Sequence, residues 1–144
     1  MTLACLSLIL VIAVFSWAIL RTNRLGASAQ EIALQIVQNT FPEDYPTLLI
    51  DNSHPDFQEA VPVELLVRYV NGIVRQTGPL ESIESIRGNA DIALIRFGQS
   101  DDLATYELEL IFRNTPADVE IDMKFIDDRW LVTRFDAIAN ILAN

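Results

Sequence analysis

The groups in this chain that could do chemistry are twenty carboxylates, three tyrosines, one histidine and one cysteine. His54 stands near Asp51, Asp56 and Glu59, and carboxylates around an imidazole can favour its protonated form or share a metal with it. The Asp-x-x-His-x-Asp spacing follows neither a helical nor a strand period, so His54 is read as a solvated loop residue. One histidine without a nucleophile elbow makes no Ser-His-Asp set, and the five glycines include no phosphate-cradling loop. Cys5 has no second cysteine to pair with, which excludes an internal disulfide and a thiolate zinc cluster. No metal and no cofactor is expected.

The carboxylates are the most abundant of these groups, twenty against ten cations. Asp101, Asp102, Asp127 and Asp128 fall in expected turns, where aspartate bonds nearby backbone. Glu107, Glu109, Glu120 and Asp122 alternate with apolar residues and so share the polar side of two strands. Together these eight are expected to form an electronegative patch for a basic partner. The same charge excludes nucleic acid, whose phosphates require a basic surface. Tyr69 and Tyr106 are the only hydroxyl-bearing aromatics expected to face inward. With Phe112 and Met123 they would line a pocket on the order of several hundred Å³ if the interior took an apolar ligand. A filled core accounts for the same four residues.

These groups need elements to place them. Residues 2–20 form nineteen consecutive uncharged residues, and a helix of that length reaches about 28 Å, close to the hydrocarbon thickness of a bilayer. Leu8, Ile9, Leu10, Val11, Ile12, Val14 and Phe15 leave no polar stripe, and Trp17 suits the interface. Residues 1–24 are therefore expected to be a transmembrane anchor, ending in Arg21 and Arg24. Ala27-Ser28-Ala29 has the form of a signal-peptidase site, but there is no basic n-region ahead of the run, and two arginines come after it. The positive-inside rule favours the cytoplasmic side for the domain beyond the anchor.

Residues 25–29 read as a linker, with Ser28 and Glu31 as a capping box opening a helix that buries Ile32, Ile36, Val37 and Phe41. Residues 43–50 suggest a short second helix or turn, and 51–56 a loop. A third helix begins near Pro62, buries Leu65, Leu66, Tyr69, Val70 and Ile73, and stops at Gly78-Pro79. Five strands are expected over 82–87, 91–97, 103–113, 119–126 and 130–135, with a tail over 140–144 and a last helical turn starting at Ala137. The soluble part, 30–144, is thus α+β: about three helices packed on an antiparallel sheet of about five strands.

Helices first, then a meander opening after a Gly-Pro stop, with a tryptophan starting the last strand, resembles an NTF2-like domain. The stretches that carry the likeness are Gly78-Pro79-Leu80-Glu81-Ser82-Ile83, Ala104-Thr105-Tyr106-Glu107-Leu108 and Asp127-Asp128-Arg129-Trp130-Leu131-Val132. The resemblance is to the small membrane-anchored or exported NTF2-like proteins of bacteria, and it implies a curved sheet wrapped around a long helix as a cone. Enzymes of that fold hold ionisable groups inside the cone, whereas this interior is expected to be aliphatic and aromatic. The expectation is a non-catalytic accessory subunit, held in the lipid bilayer and docked on a larger respiratory, photosynthetic or secretion complex. A homodimer through the sheet is a further expected association. The alternatives are an apolar-ligand or sensory domain and, behind it, a small isomerase or dehydratase.

Overall fold

An uncharged, mostly apolar run, then Arg21 to Arg24 and a stretch with three alanines, Ala27, Ala29 and Ala33, carry the chain through one long helix, α1 (Thr2–Thr40), in the computed structural model. The structure describes residues 2–42, 45–93 and 101–139, with side chains from Ile9 onward. α1 does not stop at the expected linker. Residues 25–29 lie inside it, and Ser28 is no N-cap: its hydroxyl donates to the Leu25 carbonyl at 2.9 Å. A lone Gly26 costs a helix only about 1 kcal/mol relative to alanine, and burial of Ala29 and Ala33 offsets it. Ala29, Ala33, Ile36, Val37 and Thr40 form a fully buried stripe at helical spacing.

Three shorter helices follow: α2 (Thr47–Asp51), α3 (Pro55–Ala60) and α4 (Val63–Thr77). α3 occupies part of the stretch expected as a loop. Pro55 is pre-set for a first helical position, and His54 caps the helix, its Nδ1 accepting from the Asp56 backbone N–H at 3.1 Å. On α4 the buried residues are Leu66, Val70, Ile73 and Thr77, while Leu65 and Tyr69 are exposed. Gly78, at φ 77°, ends that helix where the sequence predicts.

The sheet has four antiparallel strands in sequence order: β1 (Leu80–Asp91), β2 (Asp102–Phe112), β3 (Pro116–Ile126) and β4 (Arg129–Ala139). The expected strand 82–87 and the start of the expected second strand are one element, since β1 passes through Gly88 without turning. A glycine is required there. Its φ is 138°, and a Cβ would stand 2.0 Å from the Thr105 carbonyl oxygen. Residues 94–97 of the expected second strand lie outside the described residues, as does the tail 140–144. Ala137 belongs to β4 and not to a helical turn.

Alternation divides the sheet's two faces. Tyr106, Leu108, Leu110 and Phe112 of β2 and Val119, Ile121 and Met123 of β3 are buried with α1's stripe, Leu49, Phe57, Val70, Trp130 and Phe135 in one core. Phe41 meets Phe112 edge-on, with centroids 5.1 Å apart.

Candidate functional site

One helix among the described residues, α1, is long and apolar enough to cross a membrane. From Ile9 to Leu20 its large apolar side chains, Ile9, Leu10, Val11, Ile12, Val14, Phe15 and Trp17 among them, are 50–67% exposed. Leu8 lies in the same helix, with its side chain outside the described residues.

Three ties in ascending order then bind α1 to β2. Arg21 meets Asp102, the Tyr106 hydroxyl donates to the Gly26 carbonyl at 3.3 Å, and Phe41 meets Phe112. Twenty helical residues rise about 30 Å and ten strand residues about 33 Å, so the matched spacing sets the strands alongside the helix axis. Trp130 adds a fourth tie by donating from Nε1 to Ser28 Oγ at 3.1 Å.

The first tie corrects the expected surface patch. Asp102 is fully buried: Oδ2 accepts from Arg21 Nη2 at 2.9 Å, and Oδ1 accepts from the Ala93 N–H at 3.1 Å. The sequence held a signal for this placement, because Asp102 precedes Ala104, Tyr106, Leu108 and Leu110 at the strand period on their buried side. Arg21, expected as a juxtamembrane cation at the end of the anchor, is paired with it.

The other seven expected patch residues divide into two groups. Glu107, Glu109, Glu120 and Asp122 lie on the outer face of the sheet, where the register forms rows of charge. One row runs Arg87, Glu107, Glu120, Asp136, and another runs Ser85, Glu109, Asp118. Glu107 thus faces Glu120 directly, and Glu109 faces Asp118; like charges so placed destabilise a sheet. Arg87 approaches Glu107 at 3.6 Å, and Arg134 bridges Glu120 at 2.7 Å and Asp122 at 3.4 Å. These cations offset part of the charge. Asp101, Asp127 and Asp128 lie instead at the end of the sheet beside Arg21, around a shallow cleft of about 370 Å³ with Phe125 and Ile126. Asp101 there pairs with Lys124 at 2.6 Å. Asp127 and Asp128 take φ of 50° and 60°, the geometry of a two-residue hairpin turn.

Of the four residues expected to line a pocket, three belong to the packed core and Tyr69 lies apart from them. Tyr106, Phe112 and Met123 are packed in the core, each at most 4% exposed. Tyr69 is on α4 with its hydroxyl over β4, accepting from the Ala137 N–H at 2.8 Å and lying 3.3 Å from Asp136 Oδ1. Burial raises the pKa of both tyrosines above the ordinary 10.0, and the Asp136 carboxylate adds to the effect at Tyr69. His54 is held in place by its backbone and its ring, the N–H donating to the Val132 carbonyl at 2.8 Å and the ring capping α3. Among the described residues no cluster of metal-ligating side chains forms.

The chain matches no family model, no curated protein and no solved structure.

Proposed function

We propose that this protein is a non-catalytic accessory subunit, fixed in a bilayer by α1 and docked through its acidic outer sheet face on a larger membrane protein complex. The observation that carries the reading is the unbroken path from the apolar stretch of α1 into the domain core. A helix that is apolar all round as far as Leu20 and buried in the core from Ala29 leaves no flexible tether between them. Such a chain holds its domain at one height and in one orientation, which suits a fixed interface. Confinement to the bilayer raises the effective concentration of a weak contact.

The partner's chemistry is set by the outer face. Facing carboxylates are tolerated where a basic surface completes them, and the same charge disfavours a second copy laid face to face. A non-catalytic reading is supported by the role of Asp102, the one carboxylate buried among the described residues. Its oxygens are committed to Arg21 and the Ala93 N–H, so it serves as a joint. The helices-then-meander order joined at Gly78-Pro79 supports an NTF2-like reading of the domain. Arg21 and Arg24 favour its cytoplasmic placement.

Extraction of native membranes in mild detergent, with native size separation and mass spectrometry, tests the reading. The expected result is stoichiometric migration with a complex far larger than this 16.2 kDa chain. Migration as a monomer or simple dimer would overturn it.

A further inference from the structure

The end of the sheet that carries the β3–β4 turn points toward the apolar part of α1. Arg21 and Asp102 meet at one height, and Asp102 pairs across the sheet with Phe125. From Phe125 the chain runs two residues further to reach the turn, about 7 Å along the strand, which is the rise of about four to five helical residues. Residue numbers climb together along α1 and β2, so this step leads toward the start of α1 and sets Asp127 and Asp128 level with Trp17. Trp17 is exposed, as an aromatic residue at a membrane interface would be. Ala18, on the same helix face as Arg21, is the one buried residue between Ile9 and Leu20, so α1 is already covered below Arg21. A helix that crosses a bilayer as far as Leu20 therefore places this turn among the lipid headgroups.

We infer that the cleft between Arg21 and the β3–β4 turn binds the headgroup of a zwitterionic phospholipid that carries a primary ammonium, with the phosphate on Arg21 and the ammonium on Asp127 and Asp128. The cleft, about 370 Å³, has Phe125 and Ile126 between groups of opposite sign, and clefts of roughly 300–1,000 Å³ are the size that takes small ligands. Arg21 has five N–H donors. It spends them on Asp102 at 2.9 Å and on the Ala93 carbonyl at 3.5 Å, and its side chain keeps 26% exposure, which leaves donors for a phosphate oxygen. Of the three carboxylates, Asp101 is paired with Lys124. Asp127 and Asp128 are exposed and enter no ion pair among the described residues. Two adjacent carboxylates in the headgroup layer repel an anionic lipid. They accept hydrogen bonds from a primary ammonium, which a quaternary ammonium cannot donate. This inference rests on the bilayer placement of α1 in the reading above and not on docking through the outer face.

The test places the full chain in nanodiscs of equal parts phosphatidylethanolamine, phosphatidylcholine and phosphatidylglycerol, releases it into mild detergent and counts the retained lipids by native mass spectrometry. Phosphatidylethanolamine is expected to be retained about threefold over phosphatidylcholine, with phosphatidylglycerol retained least. Asp127→Asn with Asp128→Asn keeps residues that accept a positive φ, and it is expected to erase the preference while near-UV circular dichroism stays unchanged. Equal retention of the three lipids, a preference for phosphatidylglycerol, or a preference that survives in the double variant overturns the inference. Amide hydrogen exchange of the wild type is the second readout: residues 126–130 are expected to exchange about threefold more slowly in phosphatidylethanolamine nanodiscs than in phosphatidylcholine nanodiscs. Soluble glycerophosphoethanolamine added to the latter should leave them unchanged. Equal protection by that solute assigns the cleft to a free phosphate ester and overturns the lipid assignment. A chain that does not enter nanodiscs at all removes the anchor too, whereas insertion without lipid preference removes this site alone.

Discussion

Arg21 and Asp102 form the residue-scale joint between the apolar helix and the domain. Removing one partner of a buried ion pair takes away part of what compensates the charge left behind, and the cost is read from the single and double variants together. Arg21 is 26% exposed and Asp102 keeps the Ala93 N–H, so the penalty falls at the low end or below it: Arg21→Met should cost up to about 3 kcal/mol, and Arg21→Met with Asp102→Leu should cost less than the two single changes added together. Denaturant unfolding followed by near-UV circular dichroism measures both. Tyr69 and Tyr106 make stability depend on alkaline pH. Their folded pKa values are raised, so the protonated hydroxyls stabilise the fold fully below the ordinary 10.0 and lose that contribution as pH rises through the folded values. Stability should be flat toward pH 9 and fall above about 10, less steeply in Tyr106→Phe. The buried Asp102 was legible from its place in the alternation of β2. Its partner was not, because no local pattern ties residue 21 to residue 102, and a cation after an apolar run reads first as a topology signal.

At the scale of elements, the alternating faces of β2 and β3, the stripe of α4 and its glycine stop were all legible, since each is a local period or a local backbone demand. What escaped was set by tertiary burial. Ser28 and Glu31 have the form of a helix start, yet the helix continues through them because its alanines close on the sheet. Gly88 resembles a turn, but it is the place where β1 crosses Thr105 too closely for a side chain. Gly88→Ala should therefore cost about 2 kcal/mol or more, from backbone strain and displacement of β2 together. Gly26 is the converse case, with open space within 4 Å of where a methyl group would stand and an ordinary helical backbone. Gly26→Ala should stabilise by about 0.5–1 kcal/mol. Thermal unfolding of the two variants side by side distinguishes a glycine the fold requires from one it merely tolerates.

Across the whole molecule, the continuous α1 sets the strands along the direction of the anchor and turns the acidic face sideways, where a neighbour in the same bilayer would meet it. Glu107 and Glu109 stand side by side on that face without entering the core. Glu107→Gln with Glu109→Gln should leave stability unchanged or raise it by up to about 1 kcal/mol, since each change removes a charge that faces another carboxylate. The same pair should weaken docking by removing charge that steers and holds a basic partner. The most direct measurement is therefore the native mass of the tagged chain extracted from its own membranes, wild type beside this double variant, at low and at raised salt. A large stoichiometric complex is expected for the wild type, with release of the variant at a lower salt concentration and its fold intact. A wild-type chain that migrates alone at low salt, or a variant held as firmly as the wild type, would contradict docking through the acidic face.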